Sequence, residues 1–207
     1  MKCMIIAAMY QGEEAEFLFP GPLDLLICAD RGYEAALKAG LVPDLVVGDF
    51  DSMPRPDFPP EKILELPVHK DDTDTAVCVL EARRRGYREF RVGGGLGGRL
   101  DHTIANLQLA ADCALRKERL WLCDRQNKVT VLPPGSYALP RVLDRKLSLM
   151  AFTDKVTGVN LRGTEWPLEN AVLENRIPLG VSNEWKEASA LLSFDAGLLA
   201  VFFSGDA

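Results

Sequence analysis

Residues 89–122 read EFRVGGGLGGRLDHTIANLQLAADCALRKERLWL, and the order of patterns in this stretch decides the fold class. Glu89 to Val92 reads as a short strand, a glycine-rich turn follows, Asp101 to Leu115 reads as a helix, and Arg119 to Leu122 returns to strand. The same alternation continues outward toward the N-terminus. Lys2 to Met9 and Leu23 to Ala29 read as strands, Arg31 to Ala39 as a short helix stopped by Gly40, and Leu45 to Val47 as a buried strand. Residues 52–60 hold four prolines and read as a loop. Ile63 to Leu66 is a further strand. Thr73 to Arg85 is a helix with a cap at Asp72 or Thr73 and a stop at Gly86. Such alternation predicts an α/β domain over residues 1–127, with a mostly parallel sheet and helices on both faces.

The character changes near Pro133-Pro134-Gly135. Beyond it lie short strand-like runs at Ser136 to Leu139, Lys146 to Phe152, Val156 to Leu161, Ala188 to Phe194 and Leu198 to Phe203. Glycine, proline and asparagine punctuate them, and no long amphipathic helix intervenes. This predicts a small all-β sandwich domain over residues 128–207.

Composition bounds the function classes. The chain has 207 residues, 47% of them apolar and 26% charged, the balance of a globular protein rather than a disordered one. The longest apolar runs, such as Leu25 to Ala29, fall far short of the roughly 20 residues of a membrane-spanning helix. The start, Met1 to Ile6, lacks the features of a secretory signal. With 24 Lys+Arg against 30 Asp+Glu the net charge is −6, which argues against a nucleic-acid surface but leaves room for an anionic substrate neutralised by a metal. Cys3, Cys28, Cys78, Cys113 and Cys123 form no C-x-x-C pair and read as reduced thiols of a cytoplasmic protein. Two histidines, His69 and His102, make a histidine-rich zinc site a poor expectation.

Four clusters hold the residue types that do chemistry, and three of them lie beside predicted strand ends of the α/β half, where open parallel sheets bind ligands. In Gly48-Asp49-Phe50-Asp51-Ser52 two carboxylates stand two apart. They fit a Mg²⁺ ion shared with phosphate oxygens, and they fit equally a solvated turn whose aspartates cap backbone N–H groups. Lys70-Asp71-Asp72-Thr73-Asp74 opens a helix, where acidic residues also serve as caps and dipole partners. Three aspartates exceed what a cap needs, and Lys70 beside them suits a phosphate. In Gly93-Gly94-Gly95-Leu96-Gly97-Gly98-Arg99-Leu100-Asp101-His102 the glycines allow close approach of a polyanion. The next helix adds its dipole and Arg99 a planar donor fork, the alternative being a flexible turn. The fourth cluster joins Trp166-Pro167-Leu168-Glu169-Asn170 to Val181-Ser182-Asn183-Glu184-Trp185. Its tryptophans fit a core or interface, or a stacking surface for a flat heteroaromatic ring with Ser-Asn reading its edge. Taken together the clusters point to metal-assisted phosphoryl or nucleotidyl transfer.

The chain resembles the thiamine pyrophosphokinase family. The resemblance rests on Ala29-Asp30-Arg31-Gly32, Gly48-Asp49-Phe50-Asp51-Ser52, Lys70-Asp71-Asp72-Thr73-Asp74, Gly94 to His102 and Ser182-Asn183, in the family's order with similar spacing. It implies an ATP-binding α/β domain followed by a β-sandwich, working as a homodimer with thiamine at the subunit interface. The reaction implied moves the β,γ-diphosphate of ATP to the thiamine hydroxyl, giving thiamine diphosphate and AMP. Asp49, Asp51 and Asp74 would hold Mg²⁺ against the phosphates of ATP. Lys70, Gly95, Gly97, Gly98 and Arg99 would grip the polyphosphate, and Asp101 would bind metal or take the hydroxyl proton. Asp30, Ser182, Asn183 and Trp185 would contact thiamine. In one place the chain departs from the pattern: Arg31 stands where the family usually has the first of two glycines, which adds a cation near Asp30. A diphosphokinase for another hydroxymethyl heterocycle, of pterin type, would share the phosphate half. A non-catalytic thiamine or nucleotide sensor would have no need of the metal carboxylates.

Overall fold

The computed structural model describes residues 1–12, 23–51, 54–67 and 72–206. Two compact units emerge: Met1–Leu109 with Leu120–Arg125, and Ala110–Arg119 with Gln126–Ala207.

The first unit carries β1 (Lys2–Ile6), β2 (Leu25–Ala29), α1 (Gly32–Lys38), β3 (Leu45–Gly48), β4 (Ile63–Glu65), α2 (Asp74–Arg84) and β5 (Glu89–Gly93). It also holds most of α3 (Leu100–Leu115) and of β6 (Arg119–Cys123). The strand order is β6-β5-β1-β2-β3-β4. Parallel registers tie Ile6 to both Cys28 and Gly93, Cys28 to Val46, and Val46 to Ile63. Every residue of β1 to β3 except Lys2 is buried, so both faces of this sheet are covered, as parallel strands require. On one face Met4, Ile6, Leu26, Cys28 and Val46 pack with Tyr33 and Ala36 of α1. The β2–α1–β3 and β4–α2–β5 connections run in opposite directions across the sheet. Right-handed crossovers therefore put α1 and α2 on opposite faces.

This order also fixes where a ligand can sit. The chain travels from β1 outward to β4, then returns to place β5 on the other side of β1. The crossovers diverge between β1 and β5, and the crevice beyond the carboxyl ends of these strands is the natural binding place.

Two expected strands of the first unit are shorter by more than one residue, and one cap is settled. β1 stops at Ile6 rather than Met9, because Ala7 to Tyr10 closes a turn in which Tyr10 N–H donates to Ala7 O at 3.1 Å. The strand at Leu23 to Ala29 begins at Leu25. Thr73, not Asp72, caps α2: its Oγ1 accepts from Ala76 N–H at 3.2 Å.

The second unit is antiparallel: β7 (Asn127–Leu132), β8 (Gly135–Pro140), β9 (Lys146–Ala151), β10 (Lys155–Arg162), β11 (Leu168–Glu174), β12 (Gly180–Asn183), β13 (Ser189–Phe194) and β14 (Leu199–Ser204). Within it the strands run in the orders β12-β9-β14-β7 and β11-β10-β13-β8. Their buried residues include Val129, Val131, Leu147, Val201 and Phe203 from the first set and Leu161, Leu173, Leu192 and Phe194 from the second. Three of these strands, β7, β11 and β12, lie outside the runs expected from sequence. β11 and β12 are edge strands with one buried residue each, so they lack the alternating signal that marks a half-buried strand.

All five cysteines are buried and none forms a disulfide, in keeping with their reading as small apolar residues. Among the described residues no helix is long and apolar enough to cross a membrane.

Candidate active site

A cavity of about 500 Å³ opens in the first unit at the crevice between β1 and β5. Its walls are the turn after β1 (Ala7 to Met9), Ala29 and Asp30 after β2, Asp72 to Thr75 at the start of α2, and the glycine loop after β5. His102 and Asn106 of α3 close it.

Each wall follows from local chemistry. Gly94 has φ +72, and a Cβ there would come within 2.1 Å of Tyr10 N, so only glycine lets the loop lie on the turn after β1. The Gly94 N–H donates to Cys123 O at 3.0 Å, which ties the loop to β6. Asp30 adopts φ +44, and its N–H donates to Val47 O at 2.7 Å. Gly48 brings the end of β3 against it, since a Cβ at Gly48 would lie 3.1 Å from Asp30 Cα. On α2, Thr73 supplies the cap, so that duty does not fall on Asp72 or Asp74, and both aspartates line the cavity.

Arg99 and Asp101 form a two-pronged pair, Nε to Oδ1 at 3.1 Å and Nη2 to Oδ2 at 2.5 Å. Asp101 Oδ1 also accepts from the His102 N–H at 3.0 Å. The guanidinium's hydrogen bonds hold the Asp101 carboxyl below its ordinary value, and the carboxylate raises Arg99 in turn. Arg99 lines the cavity while Asp101 stands at its edge. Cys28, one residue before the Ala29-Asp30 pair, is pushed up to about 12 by burial, so it offers no thiolate to the site at neutral pH.

Of the sequence-predicted phosphate and metal residues, the cavity thus gathers Asp74, Gly95, Gly97, Gly98 and Arg99, and beside them it holds Asp30, expected as a thiamine contact. Asp49 and Asp51 lie just beyond the carboxyl end of β3, outside the lining, with Asp51 N–H donating to Asp49 Oδ1 at 3.3 Å. The reversal between them is made by Phe50 in the left-handed region, φ +54. Lys70 lies outside the described residues, as do Asp71 and Ser52. Arg31 turns to a neighbouring groove that it lines with Gln11 and Lys38, and pairs with Glu34 at 3.9 Å. Among the described residues no three carboxylate, histidine or cysteine side chains converge on one point. The donors are nonetheless hard oxygens beside a glycine loop. They fit a Mg²⁺ ion held by one or two carboxylates and completed by water and phosphate oxygens.

The second unit has an apolar cavity of about 460 Å³ lined by Leu149, Leu161, Trp166, Leu168 and the stretch Leu179 to Asn183. Ser182 borders it with φ +61, its N–H donating to Ser148 Oγ at 2.9 Å. Asn183 is buried, and its amide clips Trp166 from both sides: Nδ2 donates to Trp166 O at 2.6 Å and Oδ1 accepts from Trp166 N–H at 3.1 Å. Trp185 stands outside this lining. It stacks on Phe203 at 5.9 Å with the planes 12° apart, and its indole N–H donates to Arg145 O at 2.7 Å.

Asn106 escaped the sequence reading, and so did the partner of Trp166. Asn106 lies one helical turn beyond His102, a spacing that puts both on one face of α3. Trp166 was grouped with Ser182-Asn183 but its link to Asn183 was not legible, because residues 17 apart in sequence meet only through β12.

Comparison with known proteins follows the same division. The profile of the thiamin pyrophosphokinase catalytic domain matches residues 22–122, and that of the thiamin pyrophosphokinase vitamin B1 binding domain matches residues 137–199. The structure superposes on that of a thiamin pyrophosphokinase family protein from Enterococcus faecalis with a TM-score of 0.83, at 34% identity, covering 100% of both chains. The chain belongs to the thiamin pyrophosphokinase family. A thiamin pyrophosphokinase from Geobacillus thermodenitrificans gives a TM-score of 0.85 at 29% identity, covering 100% of this chain and 99% of that one. The thiamine pyrophosphokinase of Bacillus subtilis is 28% identical over 188 residues, 88% of each chain. Within this thiamin pyrophosphokinase family member, the glycine loop, Asp30, Asp72, Asp74 and Arg99 fall in the catalytic-domain match. The apolar cavity of the second unit falls in the vitamin B1 match.

Proposed function

We propose that this protein is a thiamine diphosphokinase, moving the β,γ-diphosphate of ATP to the hydroxyl of thiamine to give thiamine diphosphate and AMP. The observation that carries the reading is the cavity at the β1/β5 crevice. There a glycine loop, a helix N-terminus, Arg99 and aspartates converge on a space suited to a polyphosphate.

In the transfer, the thiamine hydroxyl oxygen attacks the β-phosphorus. The bond from that phosphorus to the oxygen bridging it to the α-phosphorus breaks, and AMP leaves with the electron pair. The hydroxyl proton is lost in the same conversion. The protein's part is positioning and charge stabilisation. Backbone N–H groups of the loop and Arg99 hold the polyphosphate, with Lys70 as a further cation. Asp49, Asp51 and Asp74 are assigned to Mg²⁺, which when bound neutralises negative charge on the phosphates. Asp101, held ionised by Arg99, is a weak base, and its assigned part is to orient the guanidinium.

For thiamine, the assignment is to Ser182 and Trp166 at the apolar cavity, with Asn183 fixing Trp166. Asp30 is a further contact, and Trp185 supports from outside the lining. We place thiamine at the interface of a homodimer and the enzyme in the cytoplasm, on the family resemblance and the reduced cysteines.

The test is incubation with thiamine, ATP and Mg²⁺, followed by chromatography with mass detection. Equal amounts of thiamine diphosphate and AMP, abolished by chelator, are expected. ADP with thiamine monophosphate overturns attack at the β-phosphorus. AMP formed only with a pterin alcohol overturns the acceptor.

A further inference from the structure

Asn106 is a buried polar residue on α3, 6% exposed, with a wall position in the phosphate cavity. Its Nδ2 donates to Gly95 O at 2.7 Å, across 11 residues of sequence. One helical turn earlier, Thr103 Oγ1 donates to Gly97 O at 3.4 Å, and Thr103 N–H donates to Arg99 O at 3.3 Å. The helix thus holds two alternate carbonyls of the glycine loop by side chains three residues apart.

Because a trans peptide points its C=O and the following N–H in opposite directions, holding Gly95 O toward α3 turns Leu96 N–H away from it. Holding Gly97 O does the same for Gly98 N–H. Among the described residues, no backbone carbonyl takes up the N–H of Gly95, Leu96, Gly97 or Gly98. Of these residues Gly95, Gly97 and Gly98 line the cavity, so theirs are the donors available to an anion. A run of glycines left to itself samples many orientations, several at φ values closed to other residues. Here the packing around Gly95 is also tight: a Cβ there would meet Val92 Cγ1 at 2.8 Å, Leu122 Cδ2 at 3.3 Å and Asn106 Nδ2 at 3.4 Å.

We infer that Asn106 is a positioning residue for ATP, acting through Gly95 to fix the peptide planes whose N–H groups meet the polyphosphate, with Thr103 as its weaker second point. The inference rests on the reading of this loop as the ATP phosphate site. Pre-organised donors lower the ordering cost of binding, so removing the clamp weakens ATP without touching thiamine.

The variants are Asn106→Asp, which keeps the shape but exchanges the donor to Gly95 O for a carboxylate, and Thr103→Val at the exposed end of the clamp, which removes a hydrogen bond to the loop without adding charge, so that the two together separate loss of the clamp from charge repulsion. ATP binding with Mg²⁺ is measured by calorimetry in the absence of thiamine. Steady-state kinetics are run with each substrate varied, and thermal melting with each variant. Asn106→Asp is expected to weaken ATP binding and raise KM for ATP about tenfold or more, with KM for thiamine within about twofold. Thr103→Val is expected to move the same quantities in the same direction by a smaller factor. A fall in melting temperature with KM for ATP unchanged gives Asn106 a purely structural role and overturns the inference. Should Asn106→Asp not fold, Thr103→Val decides alone, and unchanged ATP binding there overturns it. Wild-type protein that binds ATP but makes no product sinks the proposed reaction while the binding data still judge the clamp. Wild-type protein that fails to bind ATP sinks both.

Discussion

At the scale of single residues, Arg99 is the clearest case of a side chain held ready. Its guanidinium is turned onto Asp101 by two hydrogen bonds although both side chains are well exposed. An exposed pair of this kind adds little to stability, because water and salt screen it. Its value lies in orientation, since a fork already ordered loses less freedom when it meets phosphate. The sign of its pH dependence follows from the lowered Asp101 carboxyl. The pair is complete above the ordinary carboxyl value and is lost only as pH falls through the lowered one. At neutral pH, therefore, Arg99→Ala removes the grip itself. KM for ATP is expected to rise on the order of tenfold or more while the melting temperature stays close to wild type. Unchanged ATP kinetics would take Arg99 out of the phosphate site.

At the scale of elements, the glycine loop shows why a glycine run was legible as a site but not as a geometry. The sequence Gly93 to Gly98 announced close backbone approach, yet which glycine is constrained by space and which by conformation depends on partners far away in the chain. A Cβ at Gly94 would strike the backbone of Tyr10, whereas nothing lies within 4 Å of one at Gly97. Both have positive φ, +72 and +82. Gly97→Ala should therefore cost only the left-handed conformation, about 1–2 kcal/mol. Gly94→Ala should cost that and a backbone clash that must push β1's turn aside, about 3 kcal/mol or more. Thermal or denaturant melting of the two variants checks the order, and equal losses would mean that the turn after β1 is soft. The strands tell the same story. β1, β2 and β3 were readable as apolar runs because both sheet faces bury them, and β5 was readable by the alternation of Phe90 and Val92 with Glu89 and Arg91. β11, with the burial of an edge strand, carried no period to read, and β7 lies ahead of Pro133, before the point where the short strands were expected to begin. The cap of α2 could not be chosen between Asp72 and Thr73 from residue type alone, since both suit the position. The helix start at Asp74 decided it.

At the scale of the whole molecule, two cavities of different chemistry lie in two different units. One is a glycine and carboxylate crevice of the parallel sheet, the other an apolar hollow of the antiparallel strands. The sequence disclosed this division through the switch from βα alternation to short strands, and through the separate placing of Asp30 to His102 and Ser182-Asn183. It did not disclose that Asn183 spends its amide on Trp166, so that the Ser-Asn pair divides its work: Ser182 borders the hollow while Asn183 holds the main chain that carries the indole. If the two units serve the two substrates, variants in one should read out on one substrate. Asn183→Ala breaks both hydrogen bonds to the Trp166 main chain, each worth about 1 kcal/mol, and so loosens the segment that carries the indole. KM for thiamine is expected to rise about tenfold, the equivalent of 1.4 kcal/mol, with KM for ATP within about twofold. Trp166→Ala should reproduce this thiamine effect with Asn183 intact, because Asn183 acts by holding the main chain from which that indole projects. A rise in KM for ATP matching that for thiamine would mean that the apolar hollow is not a thiamine subsite and that Asn183 serves the fold alone.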